Sequence, residues 1–280
     1  MIVDAHSHVW DYNKHLNKEF IDDYFNNSNG SISLTAYPEE HWEAIGKNVD
    51  KAIVFGLKGK ISGIYVDDEY VAEYVSKHPD KLIGFMSIDP TCEGIEHIKR
   101  CCTELKLKGI KTSPVYTNCS LLDSRFLEVF KAASEFNLPV ILHMGPTFPH
   151  KTITKYGDPY ELEEIAIRFP NVVIVVAHMG RAREKEFMHV IKKHPNLYAD
   201  ISDTAQQPWQ CYNALMMYYE QRIMHKLILG SDFPWHSIQE TIEGILKINN
   251  MCKGTMLPII HETELLSLIE RDTLKLLRIN

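Results

Sequence analysis

Eight short runs rich in aliphatic and β-branched residues constrain the fold more than any other feature of the chain: "MIVDAHSHV", "KAIVFGL", "KLIGFMSID", "LKGIKTSPV", "LPVILHMG", "VVIVVAHMG", "LYADIS" and "KLILGSDFPW". Continuous apolar strands, as opposed to alternating ones, belong to a parallel sheet covered on both faces. Between them lie stretches with helical character, among them "DDEYVAEYVSKHP", "LLDSRFLEVFKAASEFN" and "DPYELEEIAIRFP", several ending at Pro or Asn. Eight such β/α units in roughly 250 residues match a (β/α)8 TIM barrel of the α/β class. The expected organisation is a single domain over residues 1–280, because no linker or low-complexity tract interrupts the chain. A doubly wound open sheet is the competing arrangement, but the glycine fingerprint that follows the first strand of dinucleotide-binding sheets is missing.

Composition narrows the function classes. A chain of 280 residues with 45% hydrophobic content has enough material for a large core. The net charge of -7 is spread without long runs, which argues against nucleic acid as the main partner. No basic segment followed by an apolar stretch opens the chain, and no apolar run approaches a membrane span, so the expected compartment is the cytoplasm, with no membrane partner. The six cysteines lie scattered, without the paired spacing of zinc or redox motifs, and read as reduced thiols.

Catalytic side chains of such a barrel sit at the C-terminal ends of its strands. There the sequence places His6 and His8 on strand one, Lys111 on strand four, His143 on strand five, His178 on strand six and Asp232 on strand eight. All are metal ligands, acids or bases, and strand ends converge on one mouth. His6 and His8, two residues apart in a strand, point the same way. Flanked by Ile2, Val3 and Val9, two imidazoles there would be costly without partners, and their spacing suits a metal ion. For His143 and His178 structural hydrogen bonding is the alternative, for Asp232 the capping of a turn, and for Lys111 snorkelling to solvent.

The segments "DAHSHVW", "GIKTSP", "LPVILHMG", "YGDPYELEEIAIRFPNVVIVVAHMG", "ILGSDFPW" and "ERDTLKLL", in that order, resemble the amidohydrolase superfamily and specifically its amidohydrolase-related branch, over essentially the whole chain. One departure is Asp272, where such proteins often carry Asn. The resemblance implies one divalent metal, usually zinc, held by His6, His8, His143 and Asp232 with a position left open for water. The metal would lower the pKa of that water towards roughly 7. His178 would then be a catalytic group that orients the water or polarises the substrate, and Asp232 would also shuttle a proton to the leaving group. In other branches the strand-four lysine is carbamylated and bridges two metals, so Lys111, His143 and His178 also supply a second-metal alternative. With one metal, Lys111 stays an ammonium fit to bind a substrate carboxylate.

The implied reaction is hydrolysis of an amide, ester or lactone bond in a small, anionic substrate by a metal-bound hydroxide. The alternative is non-oxidative decarboxylation of an aromatic or unsaturated acid, since the branch also resembles aminocarboxymuconate semialdehyde decarboxylase and the resorcylate decarboxylases. Those chains are longer, and some replace the first histidine by glutamate; this chain is short and keeps His6, which favours hydrolysis. A metal-binding or sensor module without catalysis is opposed by the intact ligand set. Residues 11–37 read as a long polar loop whose aromatics, Trp10, Tyr12, Phe20, Tyr24 and Phe25, either wall the substrate or pack the loop down. Lys58, Lys60, Arg181 and Arg183 are expected to ring the mouth. "WQCYNALMMYY", residues 209–219, is either a homodimer face or the buried side of a helix.

Overall fold

Every one of the eight apolar runs becomes a strand in the computed structural model, which describes residues 1–28 and 33–279. Among these residues the barrel strands are β1 (Val3–His8), β2 (Lys51–Phe55), β3 (Leu82–Gly84, resuming at Met86–Ile88), β4 (Ile110–Thr112), β5 (Val140–Leu142), β6 (Ile174–Val176), β7 (Leu197–Asp200) and β8 (Leu227–Ile228). Neighbours pair in parallel and in sequence order. The residues that follow β8 close the ring on β1: the Ala5 amide donates to the Leu229 carbonyl at 3.0 Å, the Asp232 amide to His6 at 2.8 Å, and the His8 amide to Phe233 at 2.9 Å.

Alternation along each strand divides the core. Ile53, Phe55, Phe85, Ile141, Val175 and Ile228 fill the barrel interior with Ala5, and Leu277 from the C-terminal segment packs into the same cluster. Their neighbours Ala52, Val54, Ile110, Val140, Leu142, Ile174 and Val176 face the surrounding helices. Both faces are therefore dry, which is why the runs are continuously apolar. The same parity sends Lys111, between Ile110 and Thr112, into the interior.

Local signals start the helices that follow the strands. Asp123 accepts from the Arg125 amide at the start of Ser124–Phe136, and Asn137 ends that helix in the left-handed region. Asp158 and Pro159 open Pro159–Arg168. Ser237 and Glu240 form a capping box on Ile238–Leu246.

The polar stretch after β1 is not one long loop: it carries two helices, Tyr12–His15 and Lys18–Ser28, and residues 33–37 lie outside any helix, with Ala36 bridging Trp10, while residues 29–32 lie outside the described part. Asp11 caps the first by accepting from the Asn13 and Lys14 amides, and Asn17 accepts from the Phe20 amide at 2.8 Å. Phe20 and Tyr24, one turn apart, pack on Phe148 at ring distances of 4.8 and 5.4 Å, so these aromatics hold the segment down. The aromatic-rich helix Pro208–Glu220 buries Cys211, Tyr212, Leu215 and Tyr218 and leaves Trp209 exposed. Among the described residues no helix is long and apolar enough to cross a membrane.

Candidate active site

β1 reaches the site through a β-bulge. Val3 and Asp4 pair with Lys51 and Ala52, whereas Ser7 and His8 pair with Val54 and Phe55, so β1 carries one extra residue. The bulge brings Ala5, His6 and His8 all to the interior, both rings within 5.1 Å of Phe55. Asp4 pins it by accepting from the His6 amide at 3.0 Å, the Ser231 amide at 3.0 Å and the Ser231 hydroxyl at 2.6 Å. A Cβ on Gly230 would meet the His6 Cβ at 2.8 Å, so glycine lets the chain after β8 approach this closely.

Three donor atoms converge here. His6 Nε2 lies 3.0 Å and His8 Nε2 3.3 Å from Asp232 Oδ1. His6 Nδ1 meets Asp200 Oδ2 at 2.8 Å, and Lys111 Nζ lies 2.9 Å from His6 Nε2. Burial pulls His8 down to about 3 against the pull of Asp232, and Lys111 down to about 8. Burial also holds His143 well below its ordinary value. For Asp232 burial acts upward, but His178 and His6 overcome it and keep the carboxyl well below the usual range. Burial and Lys111 act to lower the His6 pKa, but Asp200 and Asp232 outweigh them and raise it above its ordinary value, so a cation bound there would displace a proton. Two imidazoles and a carboxylate are a donor set that fits a divalent metal.

The other strand-end residues lie on the adjacent walls. His143 follows β5, and its Nε2 donates to the Gly145 carbonyl at 3.1 Å; it faces His178 at a ring distance of 5.2 Å and stands outside the trio of His6, His8 and Asp232. After β6 the backbone turns left-handed at His178 (φ 55°), Met179 (φ 51°) and Gly180 (φ 73°), and a Cβ on Gly180 would lie 2.0 Å from the Phe187 ring. Asp232 is also left-handed (φ 65°). Such conformations cluster where a side chain must be aimed. His178 Nδ1 meets the Ser202 hydroxyl at 2.8 Å and the Ser202 carbonyl at 3.1 Å.

His8, Lys111, His143, His178 and Asp232 line one cavity of about 500 Å³, walled by Tyr24, Phe148, Trp235 and Arg181. Of the four basic residues expected around the mouth, Arg181 lines this cavity, where it pairs with Asp203; Asp203 also accepts from His236 at 2.9 Å. Lys58 is instead buried between Asp68 and Glu93, at 2.7 Å from each. Arg183 turns to Asp158 and Glu186, and Lys60 is exposed. Asp200 and Ser202, at the end of β7, escaped the sequence reading although "LYADIS" carries the same signal as its neighbours: polar residues directly after an apolar run.

Solved structures share this fold at low identity. An uncharacterised TIM-barrel protein of Bordetella bronchiseptica matches with a TM-score of 0.74 and 16% identity, covering 99% of this chain and 98% of that one. A probable 2-pyrone-4,6-dicarboxylic acid hydrolase of Acinetobacter baumannii, with citric acid bound, matches with a TM-score of 0.66 and 15% identity, covering 99% of each. A mutant 5-carboxyvanillate decarboxylase of Novosphingobium aromaticivorans, with bound manganese and 3-methoxy-4-hydroxy-5-nitrobenzoic acid, matches with a TM-score of 0.62 and 14% identity, covering 100% of this chain and 97% of that one. Comparison with curated proteins finds no match. The model of the amidohydrolase family matches residues 3–252, from the first strand to beyond the last, and the chain belongs to that family.

Proposed function

We propose that the protein is a metal-dependent hydrolase that cleaves an amide, ester or lactone bond of a small anionic substrate. The observation that carries this reading is the meeting of His6 Nε2 and His8 Nε2 at Asp232 Oδ1, beside a cavity that also exposes His178. Imidazole nitrogens and a carboxylate suit zinc and manganese alike, and His143 on the next wall is the fourth proposed ligand. The manganese bound in the Novosphingobium decarboxylase supports a divalent ion in a barrel of this kind. When bound, the ion supplies the Lewis acidity that makes water a nucleophile near neutral pH.

The chain's own residues handle protons and orientation. His178, engaged at Nδ1 by Ser202, offers its other nitrogen to orient the nucleophile or polarise the scissile carbonyl. Asp232 passes a proton to the leaving group. Lys111 and Arg181 reach the same cavity and orient a substrate carboxylate. Tyr24, Phe148 and Trp235 exclude water over a planar substrate.

A second reading is decarboxylation of an aromatic or unsaturated acid. It is favoured by the Lys111 amine, 2.9 Å from His6 Nε2, which would hold a substrate carboxylate directly against the metal donors. Elemental analysis of wild type and His6→Ala tests the shared premise: about one metal per chain, absent from the variant, is expected of one mononuclear site. Two per chain would indicate a second ion bridged by carbamylated Lys111, and none after reconstitution would sink both readings. Screening lactones, amides, esters and carboxylated aromatics then separates the two: acid release supports hydrolysis, whereas CO₂ release supports decarboxylation.

A further inference from the structure

We propose that the helix Lys18–Ser28 is a lid on the cavity, pivoting at Asn17 and latched through Glu19 and Asp23 to His150 and Lys151, so that ligands enter when this latch lets go. The lid rests on the reading above only in taking that cavity as the site; it needs neither the metal nor a particular reaction.

The cavity keeps its chemistry out of reach of bulk solvent. His8, Lys111, His178 and Asp232 line about 500 Å³ of space, yet each is at most 5% exposed, so a ligand that is to touch them needs part of the wall to move. Two elements that follow different strands meet in that wall: the helix lends Tyr24 and Asn27, and the segment after β5 lends Pro146, Thr147 and Phe148. Their seam has a buried apolar row, Phe20 and Tyr24 against Phe148, and a solvent-facing charged row. In the charged row Asp23 accepts from the His150 amide at 2.9 Å and from its Nδ1 at 2.8 Å, and Glu19 accepts from Lys151 Nζ at 2.6 Å. Glu19 Oε1 also lies 3.4 Å from His150 Nε2. Glu19 and Asp23 are one turn apart, so one face of the helix carries the whole latch.

The two sides of the seam are held differently. Asn118 fixes the segment after β5: its Nδ2 donates to the Lys151 carbonyl at 2.8 Å, and its Oδ1 accepts from the Ile153 amide at 2.7 Å. The helix is anchored at its start, where the Asn17 amide donates to the Gly63 carbonyl at 2.9 Å, Asn17 Oδ1 accepts from the Phe20 amide at 2.8 Å, and Leu16 bridges Ile64. A Cβ on Gly63 would lie 2.3 Å from Asn17 Oδ1, so this anchor depends on glycine. Beyond the helix, Trp10 Nε1 holds the Leu34 carbonyl at 2.8 Å. The segment after β5 is thus the fixed jamb, and the helix, tied at Asn17, is the part that swings. Solvent-facing ion pairs each contribute little and are screened by salt, so the latch gives way before the barrel core does.

Diethyl pyrocarbonate, which modifies accessible imidazoles, reads the opening in the full chain as purified, with each histidine resolved by peptide mass spectrometry. His178 lines the cavity and is not one of the proposed metal ligands, exposed His189 gauges the reagent, and His41, fully buried and away from the cavity lining, reports global unfolding. In wild type His178 is expected to react far more slowly than His189, and several-fold faster as salt rises from about 0.05 to 0.5 M and screens the latch. In the double variant Glu19→Ala, Asp23→Ala the His178 rate is expected to rise about tenfold and lose its salt dependence, with His41 still protected. His178 reacting as fast as His189 in wild type overturns the lid, because the site then stands open. An unchanged rate in the double variant overturns it too, as does a rise shared by His41, since the helix would then be part of the fold's global stability. Should the double variant fail to fold, the wild-type salt series decides, and a flat His178 rate overturns the latch. Latch behaviour in a protein that takes up no metal upholds the lid and sinks the metal reading instead; metal uptake with any of the overturning rates does the reverse.

Discussion

At the barrel mouth Lys111 sits among His6, His8 and Asp232; outside the barrel wall Lys58 sits among Asp68, Glu93 and His97. The residue types are nearly the same, yet the electrostatics run in opposite directions. Lys58 Nζ holds two buried carboxylates at 2.7 Å each, and although burial acts against its charge, Asp68 and Glu93 raise its pKa. Lys111 has only the more distant influence of Asp232 and Asp200, and burial brings it down to about 8. The outer cluster therefore contains its own cation. The inner one keeps imidazole nitrogens and a carboxylate turned to a cavity, and that difference separates a brace from the proposed binding site.

The sharpest way to break this contrast is to delete a member of each cluster and measure metal and stability together. Asp232→Ala is expected to abolish metal binding by elemental analysis and all turnover, with circular dichroism retained. Lys58→Ala should retain wild-type metal content but unfold at much lower denaturant, a loss of about 3–5 kcal/mol, because Asp68 and Glu93 are left buried and uncompensated. Metal loss in Lys58→Ala with normal stability would reverse the two roles.

A third buried imidazole sharpens the comparison through pH. His41 donates and accepts between Ser7 Oγ and Tyr74 Oη, both at 2.8 Å, and burial holds it at about 3, as it does His8. The unfolded chain takes up these protons near pH 6.5 while the folded protein resists until about 3. Stability of the metal-free protein is thus full above pH 6.5 and falls as pH drops toward 3, with a limiting slope of about 1.4 kcal/mol per pH unit for each such imidazole. In His41→Gln the urea midpoint should fall less steeply between pH 6 and 4 than in wild type. Equal slopes would mean that His41 is already charged in the fold.

The barrel and the mouth were legible because both follow from one-dimensional patterns. Apolar runs mark strands, parity sends Lys111 inward, and residues at or just after the strand ends lie at the rim, which brings His8, His143, His178 and Asp232 to one cavity. What escaped depends on contacts between distant segments. The bulge in β1 is fixed by Asp4 reaching Ser231, Lys58 is neutralised by residues 10 and 35 positions on, and His143 Nε2 is held by the Gly145 carbonyl of its own following loop. The helix Lys18–Ser28 was obscured by polarity, although Asn17 as a cap and Phe20 and Tyr24 one turn apart carry its signature.

The smallest expected effect concerns the thiol of the outer cluster. Cys101 Sγ lies 3.4 Å from His97 Nε2 and 3.6 Å from Asp68 Oδ2, an arrangement that on residue types alone resembles an activated cysteine. Burial and the negative Asp68 push its pKa well above the ordinary thiol range, so it stays protonated and unreactive at neutral pH. Iodoacetamide should label exposed Cys92 in the folded protein and spare Cys101, which becomes reactive only with global unfolding in urea. Labelling of Cys101 under native conditions, with the protein otherwise folded, would mean that the outer cluster opens to solvent. It would then be no more closed than the mouth, and the distinction drawn from Lys58 would fail.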